Sequence, residues 1–180
     1  TFDAEELSRE IEVVIQENNR KLDNPSAVAS EKLYETAFHS HRMRRWRIGT
    51  AEGLRALTRH DVVAYYQKYY QPSNVILTIV GRFDREELLD EVIQLYGDVQ
   101  DIAVERDSTP SEAPQADFRY NWERGSNEQT HIAIGYHVPG ALSEERFGFD
   151  VIPAILTTGR ASRINRFLGD EQGVISSGSA

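Results

Sequence analysis

The run Val75 to Val80 is apolar or β-branched throughout, bounded by the turn Gln71-Pro72-Ser73-Asn74 and by Gly81. Such a run predicts a strand covered on both faces. A covered strand needs neighbours, so it constrains the whole chain: helices elsewhere must pack on a sheet. Further strands are expected at Phe118 to Trp122 and at Thr130 to Val138, where Ile132 and Ile134 alternate with Ala133 and Gly135.

The remaining pattern is helical. Residues 4–22 carry Leu7, Ile11, Val14, Ile15 and Leu22 on one stripe, and Asp23-Asn24-Pro25 ends that helix. A shorter helix is expected over 27–38 and another over 50–57. Thr58 and Asp61 have capping-box spacing at the start of a helix that runs to about Tyr70. Asp84 caps the next, with Leu88, Leu89, Val92, Ile93 and Leu95 on its apolar face. Residues 101–116, with Pro110 and Pro114, form the best linker. Late in the chain, helices are expected near Phe149 to Leu156, where Pro153 fits only in a first turn, and over Ser162 to Leu168. The fold class is therefore α+β, in two units: residues 1–100 and 117–180, joined by 101–116.

Composition removes several classes of function. The chain of 180 residues has no cysteine, which excludes disulfides, thiolate metal sites and cysteine nucleophiles. Its formal charge of −9 disfavours a general role in binding nucleic acid. No apolar run approaches the roughly 18 residues of a membrane span. A soluble protein is expected, of bacterial cytoplasm or periplasm. The chain starts at Thr1 and ends in a strand-like stretch, Val174 to Ala180, so an internal piece of a longer protein is expected.

Two carboxylates stand out in the first helix. Glu10 and Glu17 lie two turns apart, so they point to nearly the same side. They sit at the edge of the apolar stripe, where a carboxylate can be held against the core. Zinc accepts a carboxylate as a third ligand beside two histidines. From the helix alone, a solvated acidic face is the ordinary reading. None of His39, His41, His60, His131 and His137 shows the helical i, i+4 pairing of a zinc site. The basic loop with Arg42, Arg44, Arg45 and Arg47 reads as a solvated loop or salt-bridged contact before it reads as a phosphate or RNA site.

The ordered series of motifs is more specific than any one of them. Glu10 and Glu17 are followed by Asp23-Asn24-Pro25, Phe38 to His41, Ile48-Gly49-Thr50, Leu57-Thr58, Asp61, Tyr65-Tyr66, Tyr69-Tyr70, Pro72 to Asn74, Ile79-Val80-Gly81 and Asp84. Then come Glu128-Gln129, His131-Ile132, Pro139-Gly140, Asp150, Ile155-Leu156, Gly159 to Arg163, Leu168 and Asp170 to Gly173. This series resembles the M16 metallopeptidases: insulinase, pitrilysin and the mitochondrial processing peptidase.

The resemblance implies a fold and roles. The fold would be the back half of one LuxS/MPP-like metallohydrolase domain and the front half of the next, with helices on an antiparallel or mixed sheet. The activity would be zinc-dependent endopeptidase cleavage of extended polypeptides. Family members carry an H-x-x-E-H helix, absent from these 180 residues and expected before Thr1. By position, Glu17 would be the third zinc ligand and Glu10 a supporting acidic residue that does not touch the metal. Gly159, Arg160, Ser162 and Arg163 resemble the substrate loop. Active members place an arginine and a tyrosine where this chain has Gly169 and Ser176. That departure implies a homologous partner subunit that supplies both groups, or a non-catalytic homologue; the assembly expected is with such a partner subunit or as a homodimer. An unrelated acidic α+β binding module is the remaining alternative.

Overall fold

Asp3 starts the first helix by accepting hydrogen bonds from the amides of Glu5 (2.9 Å) and Glu6 (3.0 Å). Helix α1 runs Ala4–Leu22, with Glu5 and Glu6 in its first turn and Arg20 and Lys21 in its last, the charge order the helix dipole favours. Asn24 then caps α2 (Pro25–Ala37) through the amide of Ala27, with Pro25 at the first helical position. The proline that closes one helix thus opens the next. Helix α3 (Ala51–Arg55) is capped by Thr50, and α4 (Arg59–Tyr69) by the expected capping box of Thr58 and Asp61. Helix α5 (Arg85–Tyr96) is capped by Asp84, and α6 spans Arg146–Thr157. This computed structural model describes residues 2–106 and 108–179. Asp107 of the expected linker, and Thr1 and Ala180, lie outside the described residues.

The expected α+β sheet is absent. Among the described residues every regular element is helical. Val75 to Val80, Phe118 to Trp122 and Thr130 to Val138 carry no ladder, and Ile76 and Val80 are 93% and 92% exposed. The reason is that strand propensity reports fit to a pleated, half-buried surface rather than a local backbone preference. A strand's ladder hydrogen bonds are made only with a neighbouring strand. Among the described residues no backbone hydrogen bonds of that kind join these segments to a neighbour, so β-branched residues alone do not make a strand.

Two compact units emerge, Thr1–Ala133 and Ile134–Ala180. In the first, α1 packs on α2 and α3. Ile15, 2% exposed, is the one buried hydrophobic side chain among the described residues. The stripe continues through buried Asn18 rather than through Leu22, which is exposed. Polar contacts do much of the joining. Arg55 grips Glu12 with both ends of its guanidinium (3.0 and 3.3 Å), tying α3 to α1. Lys21 pairs with buried Glu31 across the α1–α2 turn, and Trp46 lies under Lys21 and Lys32. The Phe2 ring meets Tyr66 edge-on at 5.3 Å, bringing α4 to the start of α1.

In the second unit Pro153 sits inside α6 rather than in its first turn. The helix continues past it without the amide that would otherwise reach Phe149. A wide π-helical turn, Asn165–Glu171, follows in place of the expected α-helix. There the amide of Gln172 reaches back to the Phe167 carbonyl at 3.1 Å.

Candidate functional site

Glu10 and Glu17 project from one side of α1, and both are exposed. At about 100° per residue, their shared direction lies roughly 120° around the helix from the stripe of Ile11, Ile15 and Asn18. The core draws in Asn18 and leaves Val13 56% exposed beside the two glutamates. The carboxylates are therefore turned to the surface instead of being held against the core. Neither has a hydrogen-bond or ion-pair partner among the described residues, unlike Glu5 and Glu12 on the same helix.

The donor set is thin. Among the described residues no group of three or more His, Asp or Glu side chains could hold a metal ion. The residues present thus do not make a zinc site; Glu17 offers one carboxylate. Two of the histidines make structural contacts. His41 accepts from the Met43 amide at 3.2 Å to cap the short turn Arg42–Arg44, and His131 sits 3.0 Å from the Ser26 hydroxyl. In the basic loop, Arg47 reaches Glu31 at 3.8 Å. Lys32 bonds Glu35 at 3.0 Å and approaches Glu123 at 3.3 Å. The hydrogen bond to Lys32 holds the Glu35 carboxyl below its ordinary range, and the Glu35 bond raises Lys32.

The expected substrate loop belongs to the second unit. Gly159 turns the chain at φ +79°, a conformation that favours glycine. Asn165 holds the loop by donating to the carbonyls of Thr157 (3.0 Å) and Gly159 (3.2 Å). Arg160 is exposed, while Ser162 is 5% exposed with its hydroxyl unpartnered. Arg163 lines a groove of about 520 Å³ with Ile164, Arg166 and Phe167. The loop's residues thus face different surroundings. Gly169 has open space where a side chain would stand, and Ser176 is exposed.

Sequence patterns gave no signal for Glu112, which lies between two prolines in a stretch that reads as a linker. Its carboxylate accepts three backbone amides, and those of His39, His41 and Ser40 push its pKa from 4.5 to about 2.

The backbone follows that of a protease from Helicobacter pylori, with a TM-score of 0.75 over 99% of this chain and 44% of that one. At 20% identity that likeness shows the fold alone. In sequence the chain is similar to an uncharacterized zinc protease of Mycobacterium leprae, 24% identical over 95% of this chain and 39% of the relative. An uncharacterized zinc protease of Rickettsia bellii is 24% identical over 96% of this chain and 41% of the relative. The chain therefore spans about two-fifths of the length of these curated relatives. It belongs to the M16 peptidase family: residues 56–180 match the part described as the Peptidase M16 inactive domain. The resemblance carried by the ordered motifs thus holds. No helix of the described residues is long and apolar enough to cross a membrane.

Proposed function

We propose that this chain is part of a zinc-dependent endopeptidase acting on extended polypeptides, with Glu17 as one of the metal's ligands. The observation that carries the reading is the exposed, partner-free face of α1 shared by Glu10 and Glu17, in a chain matched along 95% of its length by a relative named a zinc protease. Peptidase zinc sites take three protein ligands and keep a fourth position open. A single carboxylate is one part of such a set, so the other ligands lie outside the described residues. Glu10 acts without touching the metal, by orienting or charge-balancing its neighbours. In this reading residues 1–100 close one domain, 117–180 open the next, and 101–116 run between them. Gly159, Arg160, Ser162 and Arg163 border the path of the polypeptide.

The test is made in the whole protein. Glu17→Gln keeps shape and removes the ligand charge, and is expected to lose zinc and peptide hydrolysis with circular dichroism unchanged. The loss should exceed the roughly 10- to 100-fold typical of groups that only support ligands, and Glu10→Gln should fall within that range. Full zinc content and full turnover in Glu17→Gln would overturn the assignment.

Gly169 and Ser176 favour a second reading on the same fold. Glycine offers no side chain to a developing oxyanion, and serine does not reach as far as tyrosine. A homologous partner subunit would then supply both groups. Adding candidate partners to the purified protein and assaying an unfolded polypeptide tests this. Full activity of the protein as a monomer would remove the partner.

A further inference from the structure

The exit of α2 presents its backbone in two signs. Its last carbonyls carry the negative end of the helix dipole, and beyond them the amides of His39, Ser40 and His41 follow one another. One stretch of chain, some 70 residues downstream in sequence, meets both. Glu112 accepts the His39 amide at 2.8 Å with one oxygen, and those of Ser40 (2.7 Å) and His41 (2.9 Å) with the other. Arg119 donates to the Ala37 carbonyl at 2.7 Å and lies 3.9 Å from Glu112. Both side chains are largely withdrawn from water. Successive amides pointing at one spot make a concave anion site, and a cation at helix carbonyls is favourable.

The same stretch is anchored at its other end. Asp101 accepts the Ser73 amide at 3.0 Å, the Ile102 amide donates to Gln71 at 3.2 Å, and Arg106 donates to Asn74 at 3.1 Å. Pro110 and Pro114 restrict the backbone on either side of Glu112, which lowers the entropy lost on docking. A segment with linker composition is thus strapped to the first unit at two places.

We propose that the amides of His39, Ser40 and His41 form a carboxylate-binding nest, and that Glu112 is its internal ligand, making the described residues 101–106 and 108–119 a clasp on the first unit. The nest recognises a carboxylate by shape and charge together: two oxygens against three amides, with Arg119 beside them. It shares no residue with the proposed metal ligand and does not depend on that reading. A free carboxylate of formate size fits the same donors once Glu112 is removed.

Hydrogen exchange read by mass spectrometry on the whole protein at neutral pH tests the clasp. Glu112→Ala should speed exchange of the amides at 39–41 by about tenfold or more, the scale of losing hydrogen bonds to a charged acceptor. Added formate should restore protection in Glu112→Ala. Glu112→Gln keeps the shape without the charge and should lie between the two proteins, so it reads the nest even if the alanine variant is poorly folded. Arg119→Ala should speed exchange at the same amides by a smaller factor. Unchanged exchange at 39–41 in both Glu112 variants would overturn the proposal. So would Glu112→Gln as protected as the unaltered protein, or a loss in a folded Glu112→Ala that formate does not reverse.

Discussion

The first unit is stitched by side chains from distant stretches, and the turn after α6 in the second by neighbours. Ser26 meets His131 across 105 residues, and Arg119 reaches Ala37 across 82. In the second unit Asn165 reaches Thr157 across eight residues, and Arg166 pairs with Glu171 across five. Closing a longer loop costs more chain entropy, though the cost grows only with its logarithm. The contrast therefore lies less in strength than in origin. A local turn follows from its own residues, whereas a distant stitch exists only once the rest of the unit has placed both partners. The first unit relies on such stitches because its apolar core is small, with Ile15 at its centre.

That account of the first unit can be broken at Ile15. Ile15→Ala should cost about 2–4 kcal/mol in denaturant unfolding, the range for a buried aliphatic truncated in a packed site. A cost near zero would show that the polar stitches, not the α1 interface, hold the unit.

The stitch at Glu112 should show itself in acid. Its carboxyl is held at about 2 against an ordinary 4.5 because the amides of His39, His41 and Ser40 bond the charged form. Arg119 and His39 are the charged or titratable side chains that face it. A carboxyl depressed in the folded state contributes stability in full above its unfolded value, and that contribution fades as pH falls through the folded one. Stability curves of the protein and of Glu112→Gln should therefore run apart above pH 4.5 and converge between there and about 2. Parallel curves through that window would remove the clasp's electrostatic basis.

The smallest effect belongs to the local turn. A methyl at Gly159 meets nothing within 4 Å, so Gly159→Ala suffers only from the φ of +79°. The expected cost is about 1 kcal/mol. Asn tolerates that region better, so Gly159→Asn should unfold at a higher temperature than Gly159→Ala. Equal midpoints for the two variants would mean that the loop relaxes out of the turn.

Much of the local architecture was legible in the residues themselves. The period of Leu7, Ile11 and Ile15 marks α1, and the caps at Thr58 and Asp84 mark the starts of α4 and α5, because these signals act within one or two turns of chain. The order of motifs across the chain also identified the M16 family before any geometry was known, and the match over residues 56–180 agrees. Tertiary structure decided the rest. Val75 to Val80 has every local mark of a strand and is not one here, since pairing is a property of two segments. Glu10 and Glu17 were placed correctly on one side of a helix, yet the helix is rolled to bury Asn18, which leaves both carboxylates in water. Glu112 stands among prolines like any linker residue, and only the folded first unit turns three amides toward it. Spacing along one helix sets which residues share a face; which face is buried, and which amides meet a distant carboxylate, is set by the partners that pack against it.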